Sequence, residues 1–151
     1  MLLIRHASTE PGVGDPPCFT LGQCGTQCNL SQAGRAEAID ISAWFRQHGL
    51  QPQTVFSSQW CRCQDTARLA FGHCEDWPAL NSTFATQGQH EQQLQMLGQR
   101  LRHLPGGTLH VWVTHQVIMT GLTGAYPDMG EGFMMDASGT LRARGKMRLE
   151  T

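Results

Sequence analysis

Met1-Leu2-Leu3-Ile4-Arg5-His6-Ala7 is the stretch whose reading decides the fold. Leu2, Leu3 and Ile4 form a short apolar run of the kind that makes a fully buried strand, and Arg5-His6 breaks it abruptly. In open α/β sheets, ligands collect in the crevice beyond the carboxyl ends of the strands. A strand ending on Arg and His therefore supplies the floor of an anion site, with His6 as its nucleophile. The plainer alternative is that the pair only ends a strand in solvent.

Outward from this stretch, apolar strands alternate with helical patterns. Ala7-Ser8-Thr9-Glu10 leads into a loop over 11–29, rich in Gly, Pro and Cys. A loop of that length inside a compact domain is usually functional, and it reads as one wall of the site. Leu30-Ser31-Gln32-Ala33-Gly34 starts a helix with Ser31 as N-cap. Ala33, Ala36, Ile39, Ile41, Ala43, Trp44 and Phe45 give it a broad apolar stripe that ends at Gly49. Thr54-Val55-Phe56-Ser57-Ser58 is a second strand feeding a helix over Trp60 to Phe71. Two serines before a helix N-terminus make an anion cradle, because orphan N–H groups and the helix dipole face whatever sits there. Arg62 opposes that dipole from the first turn, a local cost that fits service to a bound anion; Arg68 reads as an exposed residue.

The passage from Cys74 to Gln89 is irregular, with room for a small strand. A helix over Gln87 to His103 turns Leu94, Leu97, Leu101 and Leu104 inward and leaves His90 and His103 in solvent. A third strand, Thr108 to Thr114, ends on His115 and passes into an apolar helical stretch, Gln116 to Gly124. Strand-helix alternation makes these strands parallel neighbours, so His6, Ser58, Arg62 and His115 converge on one edge. Residues 130–149 read as an antiparallel hairpin. Its second strand carries Arg142, Arg144, Lys146 and Arg148, a charged edge that discourages strand addition.

At 151 residues the chain suits a single domain over 1–151. A domain of that size buries roughly two-thirds of its unfolded surface. The formal net charge is −1 and only 15% of residues are charged. That argues against nucleic acid or a membrane surface as partner, so anion binding must come from a few focused side chains. No apolar run approaches the roughly 18 residues of a membrane helix, and the first residues lack the pattern of a secretory leader. The chain reads as cytoplasmic, or periplasmic if a leader preceded it. Of its cysteines, Cys18, Cys24 and Cys28 lie together, Cys61 and Cys63 flank Arg62, and Cys74 follows. An even count permits disulfides, but the chain is long enough to need none and lacks the C-x-x-C pairs of a zinc site, so structural thiols are expected.

Leu3-Ile4-Arg5-His6-Ala7, Leu30-Ser31-Gln32-Ala33-Gly34, Phe56 through Ala67 and Val113-Thr114-His115 stand in that order. Together they resemble the histidine phosphatase superfamily, which includes the cofactor-dependent phosphoglycerate mutases, through nearly the whole chain. The resemblance implies an α/β three-layer sandwich: a mostly parallel central sheet with helices on both faces and a C-terminal antiparallel hairpin. It makes His6 the phosphorylated residue, and Arg5, Arg62 and His115 ligands of the phosphoryl group. Thr9 matches a hydroxyl position that touches phosphate less regularly, and Ser58 joins them from its strand end. Mutase-like members carry a Glu acid where this chain has Leu80-Asn81-Ser82-Thr83, which disfavours mutase activity. The leaving-group acid then falls to Asp15, whose loop resembles the short phosphohistidine phosphatases. Glu10 is the second candidate, and Glu131 is read as structural.

Phosphoryl transfer needs an in-line nucleophile and positive charge around spreading oxygens. A neutral His6 can attack, splitting one hard displacement into two easier ones. Two guanidiniums supply fork-shaped donors and a protonated His115 adds charge, so no metal or cofactor is required. The expected protein is a metal-independent phosphatase acting on a phosphomonoester or phosphohistidine, its partner a phosphorylated small molecule or a phosphohistidine protein. Two alternatives stay open. One is a sugar or lipopolysaccharide phosphate phosphatase of the same fold, which oxidation of Cys18, Cys24 or Cys28 would favour. The other is a phosphate-binding module that lacks the acid.

Overall fold

The computed structural model describes residues 1–12, 14–84 and 87–150. Val13 of the long loop, Ala85 and Thr86 of the irregular passage, and Thr151 lie outside them. Six strands form one sheet: β1 (Leu2–Arg5), β2 (Thr54–Ser57), β3 (Glu75–Asp76), β4 (His110–Thr114), β5 (Glu131–Met135) and β6 (Leu141–Lys146). Among the described residues, four α-helices accompany them: α1 (Gln32–Gln47), α2 (Cys61–Phe71), α3 (His90–Arg102) and α4 (Gln116–Thr123). Strand order is β3-β2-β4-β1-β5-β6. The β1, β2, β3 and β4 pairings are parallel, whereas β5 and β6 run antiparallel to their neighbours.

Side chains alternate across a strand, so one apolar run feeds two cores. Leu2 and Ile4 of β1 join Val55, Val111 and Val113 under α1 and α2, through Ile41, Phe45, Cys63, Ala67 and Ala70. Leu3 points the other way and packs with Trp112 and Phe133 against α3 and α4, through Leu97, Leu101, Ile118 and Met119. Those are the three layers. β4 is buried along its whole length, as a central strand covered on both faces must be. Outer strand β6 is exposed and charged, with Arg142 paired to Asp136, Arg144 to Glu131 and Lys146 to Glu37.

α1 corrects the sequence reading of its stripe. Its buried residues are Gly34, Ala38, Ile41 and Phe45, while Ile39 is exposed and Ala33 and Ala36 face water. The helix packs on one narrow line of contact, and alanines off that line cost nothing in solvent. Ser31 is the N-cap, its Oγ accepting from Gly34 N–H at 3.0 Å. Gly34 has a steric reason: a Cβ there would collide with the Ser8 carbonyl. That carbonyl accepts Ser31 N–H at 3.0 Å and locks the first turn of α1 against the segment leaving β1. The Thr83 hydroxyl meets His90 Nδ1 at 2.6 Å, so His90 is not the solvent residue its surroundings in the sequence imply.

Candidate active site

β1, β4 and β2 end side by side, and each continues directly into polar residues. His6 N–H donates to Thr114 O and Ser58 N–H to Val113 O, so the chain keeps strand register one residue past each end. This brings the His6 and His115 rings together edge to face, centroids 5.6 Å apart. Both rings are buried. Thr66 couples α2 to the same place: its hydroxyl accepts Ala7 N–H at 3.0 Å and donates to Arg62 O at 2.7 Å.

Hydrogen bonds decide the tautomers. His6 Nδ1 lies 2.9 Å from Ala7 O, which can only accept, so Nδ1 carries the proton and Nε2 keeps its lone pair. Burial lowers the His6 pKa to about 3, with Arg62 and Arg5 adding to the shift and the Ala7 carbonyl opposing it. The ring is a neutral imidazole at ordinary pH, the form a nucleophile needs. His115 Nε2 sits 2.8 Å from Ser58 Oγ. That hydroxyl donates its proton to Asn81 Oδ1 at 3.2 Å and accepts Trp60 N–H, so His115 must donate to it. Burial first, then His6 and the two arginines, hold the His115 pKa well below its usual value. The protonated His115 expected from sequence is thus corrected for the phosphate-free protein: a buried ring facing two guanidiniums stays neutral. Cys63 Sγ lies 3.5 Å from the same Nε2, and burial pushes this thiol up to about 12, so it is no thiolate nucleophile.

Cationic groups converge from two sides. Arg5 Nη1 donates to Pro127 O at 2.8 Å, while its Nε is buried with no partner among the described residues. Burial lowers its pKa; Asp128 opposes this and Arg62 adds to it. An orphaned guanidinium N–H beside a second guanidinium is a site that an anion satisfies. Arg62 directs Nη1 at both Asp15 oxygens, at 2.9 and 3.1 Å.

Asp15 reaches the site, but in a state unlike that of a stored acid. Partial burial pushes its carboxyl up. Hydrogen bonds from Cys28 N–H, Arg62 and Trp60 Nε1, with the charge of Arg62, outweigh that and leave it below the usual carboxylate range. This is the environment of a counter-ion. Glu10 is exposed, and Glu131 is engaged by Arg144 at 2.7 Å. Thr9 does not join the cup's hydrogen bonds: its hydroxyl faces Met129 Sδ at 4.0 Å.

Several contributors escape sequence reading. Asn81 Oδ1 accepts from Gln59 N–H and Ser58 Oγ, anchoring the turn between β2 and α2. Gln27 Oε1 accepts Cys61 N–H, an orphan donor at the start of α2. Cys24 and Cys61 form a disulfide, with Cα atoms 5.7 Å apart. This corrects the expectation of structural thiols for that pair. Asn81's place in the passage after the second helix, where mutase-like members carry a Glu, was the one signal; a pairing across a loop has no periodicity to betray it. Among the described residues no cluster of His, Cys, Asp and Glu is arranged to hold a metal ion, and no helix is long and apolar enough to cross a membrane.

The family model for the histidine phosphatase superfamily (branch 1) matches residues 1–84. The chain belongs to the histidine phosphatase superfamily. Solved structures agree on the fold of this superfamily member. An alpha-ribazole phosphatase from Shigella flexneri superposes with TM-score 0.66 at 16% identity, covering 99% of this chain and 98% of its own. A phosphoglycerate mutase from Thermus thermophilus gives 0.66 at 17%, covering 99% and 98%. The protein histidine phosphatase SixA complexed with tungstate gives 0.58 at 18%, covering 96% and 95%. No curated protein sequence matches the chain. Family membership makes the chain a phosphatase or mutase-like enzyme.

Proposed function

We propose that the chain is a metal-independent phosphatase that works through a phosphohistidine on His6. The observation carrying this reading is the 5.6 Å edge-to-face pairing of His6 and His115 at the ends of adjacent parallel strands, within the field of Arg5 and Arg62. His6 Nε2 attacks phosphorus, and the P–O bond to the leaving group breaks with its electron pair going to that oxygen, which takes up a proton. Water then attacks the phosphohistidine, the P–N bond breaks, and inorganic phosphate leaves. The unpartnered Arg5 Nε and the free edge of Arg62 bind the equatorial oxygens. His115 is fixed by Ser58 and lends its other nitrogen, and a bound dianion raises its pKa toward the protonated form. Thr9 is assigned only a peripheral contact.

Asp15 holds Arg62 until phosphate arrives, and the leaving group departs with little help from a side-chain acid. Asn81 stands near where mutase-like relatives have their Glu, and its amide is committed to Ser58 and Gln59, which supports hydrolysis over transfer. Incubation with para-nitrophenyl phosphate in chelator should give turnover, with an acid-labile phosphoenzyme on quenching. His6→Ala should abolish both; undiminished turnover in that variant removes His6 from the role.

A second reading, a phosphorylated sugar met outside the cytoplasm, is favoured by the Cys24–Cys61 bond, which an oxidising compartment sustains. Glucose 6-phosphate turned over faster than para-nitrophenyl phosphate would select it.

A further inference from the structure

We propose that a groove beside the catalytic cup binds an uncharged aromatic ring, so that the preferred substrates are phosphomonoesters whose alcohol carries such a ring. The proposal deepens the phosphatase reading and rests on it for the hydrolytic step. Between the 14–19 segment of the long loop and the 78–84 passage lies a cavity of about 680 Å³. That is the size of a site for a small organic molecule. Pro16, Pro17, Phe19, Trp60, Pro78 and Phe84 form its apolar walls.

Trp60 joins this groove to the cup. One of its contacts is Phe19, with ring centroids 5.4 Å apart; another is His115, at 5.3 Å and edge to face. A phosphoryl group held beside His115 therefore has Trp60, and through it the groove, next to it. Phe84 stands 84% exposed on the opposite wall. A large ring left in water at the rim of an apolar cavity is surface waiting to be covered.

Charge and hydrogen bonding favour an uncharged apolar occupant over a charged or polyhydroxylated one. Asp15 is the one ionisable residue in the described lining, and its carboxylate is already engaged by Arg62. No cation is left there for a second phosphate or a carboxylate. Of the polar lining residues Gln89 is exposed, while Asn81, Ser82 and Gln93 hold contacts within the protein. Asn81 is engaged by Ser58 and Gln59; Gln93 Nε2 donates to the Ala79 and Asn81 carbonyls at 3.0 and 3.1 Å; Ser82 Oγ accepts Phe84 N–H. A sugar would find few free partners, whereas a flat apolar ring needs none.

Binding and turnover separate the two claims. Calorimetry should give 4-phenylbutylphosphonate a Kd about tenfold to a hundredfold below that of butylphosphonate, the range expected for burying one phenyl group. Phe84→Ala, outside the cup, should remove most of that difference and leave butylphosphonate unchanged. Among esters with matched leaving-group basicity, 3-phenylpropyl phosphate should exceed propyl phosphate in kcat/KM by a similar factor. Equal affinities for the two phosphonates, or an advantage that survives Phe84→Ala, overturns the groove. Tighter arylalkyl binding without hydrolysis of any ester supports the groove and overturns the phosphatase reading instead.

Discussion

Arg62 and Asp15, 47 residues apart, meet at 2.9 Å and are largely buried. Asp15 therefore has a clear signature as a positioning residue. Asp15→Asn should lower kcat/KM by similar factors for para-nitrophenyl phosphate and for an alkyl phosphate, because it disturbs Arg62 whatever the leaving group. A loss that grows with the basicity of the leaving group would assign Asp15 the acid role after all. The residues gathered at the candidate site were legible in the sequence because each of Arg5, His6, Ser58 and His115 interrupts an apolar run, and Arg62 sits against the dipole of its helix. The partners that set their protonation were not: nothing local to Asp15 reveals that Trp60, Cys28 and Arg62 will all donate to it. His115 shows the same gap, its position plain from the chain but its charge decided by burial and by three neighbours remote in sequence.

Strands and helices alternate as the hydrophobic pattern implies, and the ends of β1, β2 and β4 fall within a residue or two of expectation. The error over α1 arose because apolar residues beyond the contact line look the same in a sequence as those on it. The 11–29 loop was legible as a wall but not in its attachment, since six cysteines allow many pairings and spacing cannot choose among them. The bond between Cys24 and Cys61 closes a span of 37 residues and ties that loop to the first turn of α2, one residue from Arg62. By loop-closure entropy such a link contributes about 3–4 kcal/mol. Urea unfolding of the Cys24→Ser, Cys61→Ser double variant should register a loss of that order. Reductant should lower the wild type to the same level and leave the variant unmoved; insensitivity of the wild type would mean that the loop holds without the bond.

Across the whole molecule, the two buried histidines of the cup link folding to pH, and His110, whose pKa burial also lowers, adds in the same direction. In the unfolded chain each binds a proton near pH 6.5, but in the folded protein His6 does so only near 3, and His115 also well below its usual value. Between those limits the unfolded state holds more protons. For His6 the stability contributed is complete above about 6.5 and is lost as pH falls toward 3, at up to about 1.4 kcal/mol per pH unit, and His115 adds a loss of the same sign. Denaturation from pH 7 to 4.5 should follow that slope, and His6→Gln should flatten it by about one proton; parallel slopes would mean that His6 is not the linked group. The sheet order has a consequence for synthesis. β1 is held between β4 and β5, both encoded after residue 84, so β1 and the adjoining His6 leave a ribosome before either strand that covers the edges of β1 has been made. A fragment ending at residue 84 should show no cooperative melting by circular dichroism, and a nascent chain stalled there would depend on chaperones to mask β1. The imidazole of His6 thus waits on two strands from the far half of the fold before its own strand is enclosed.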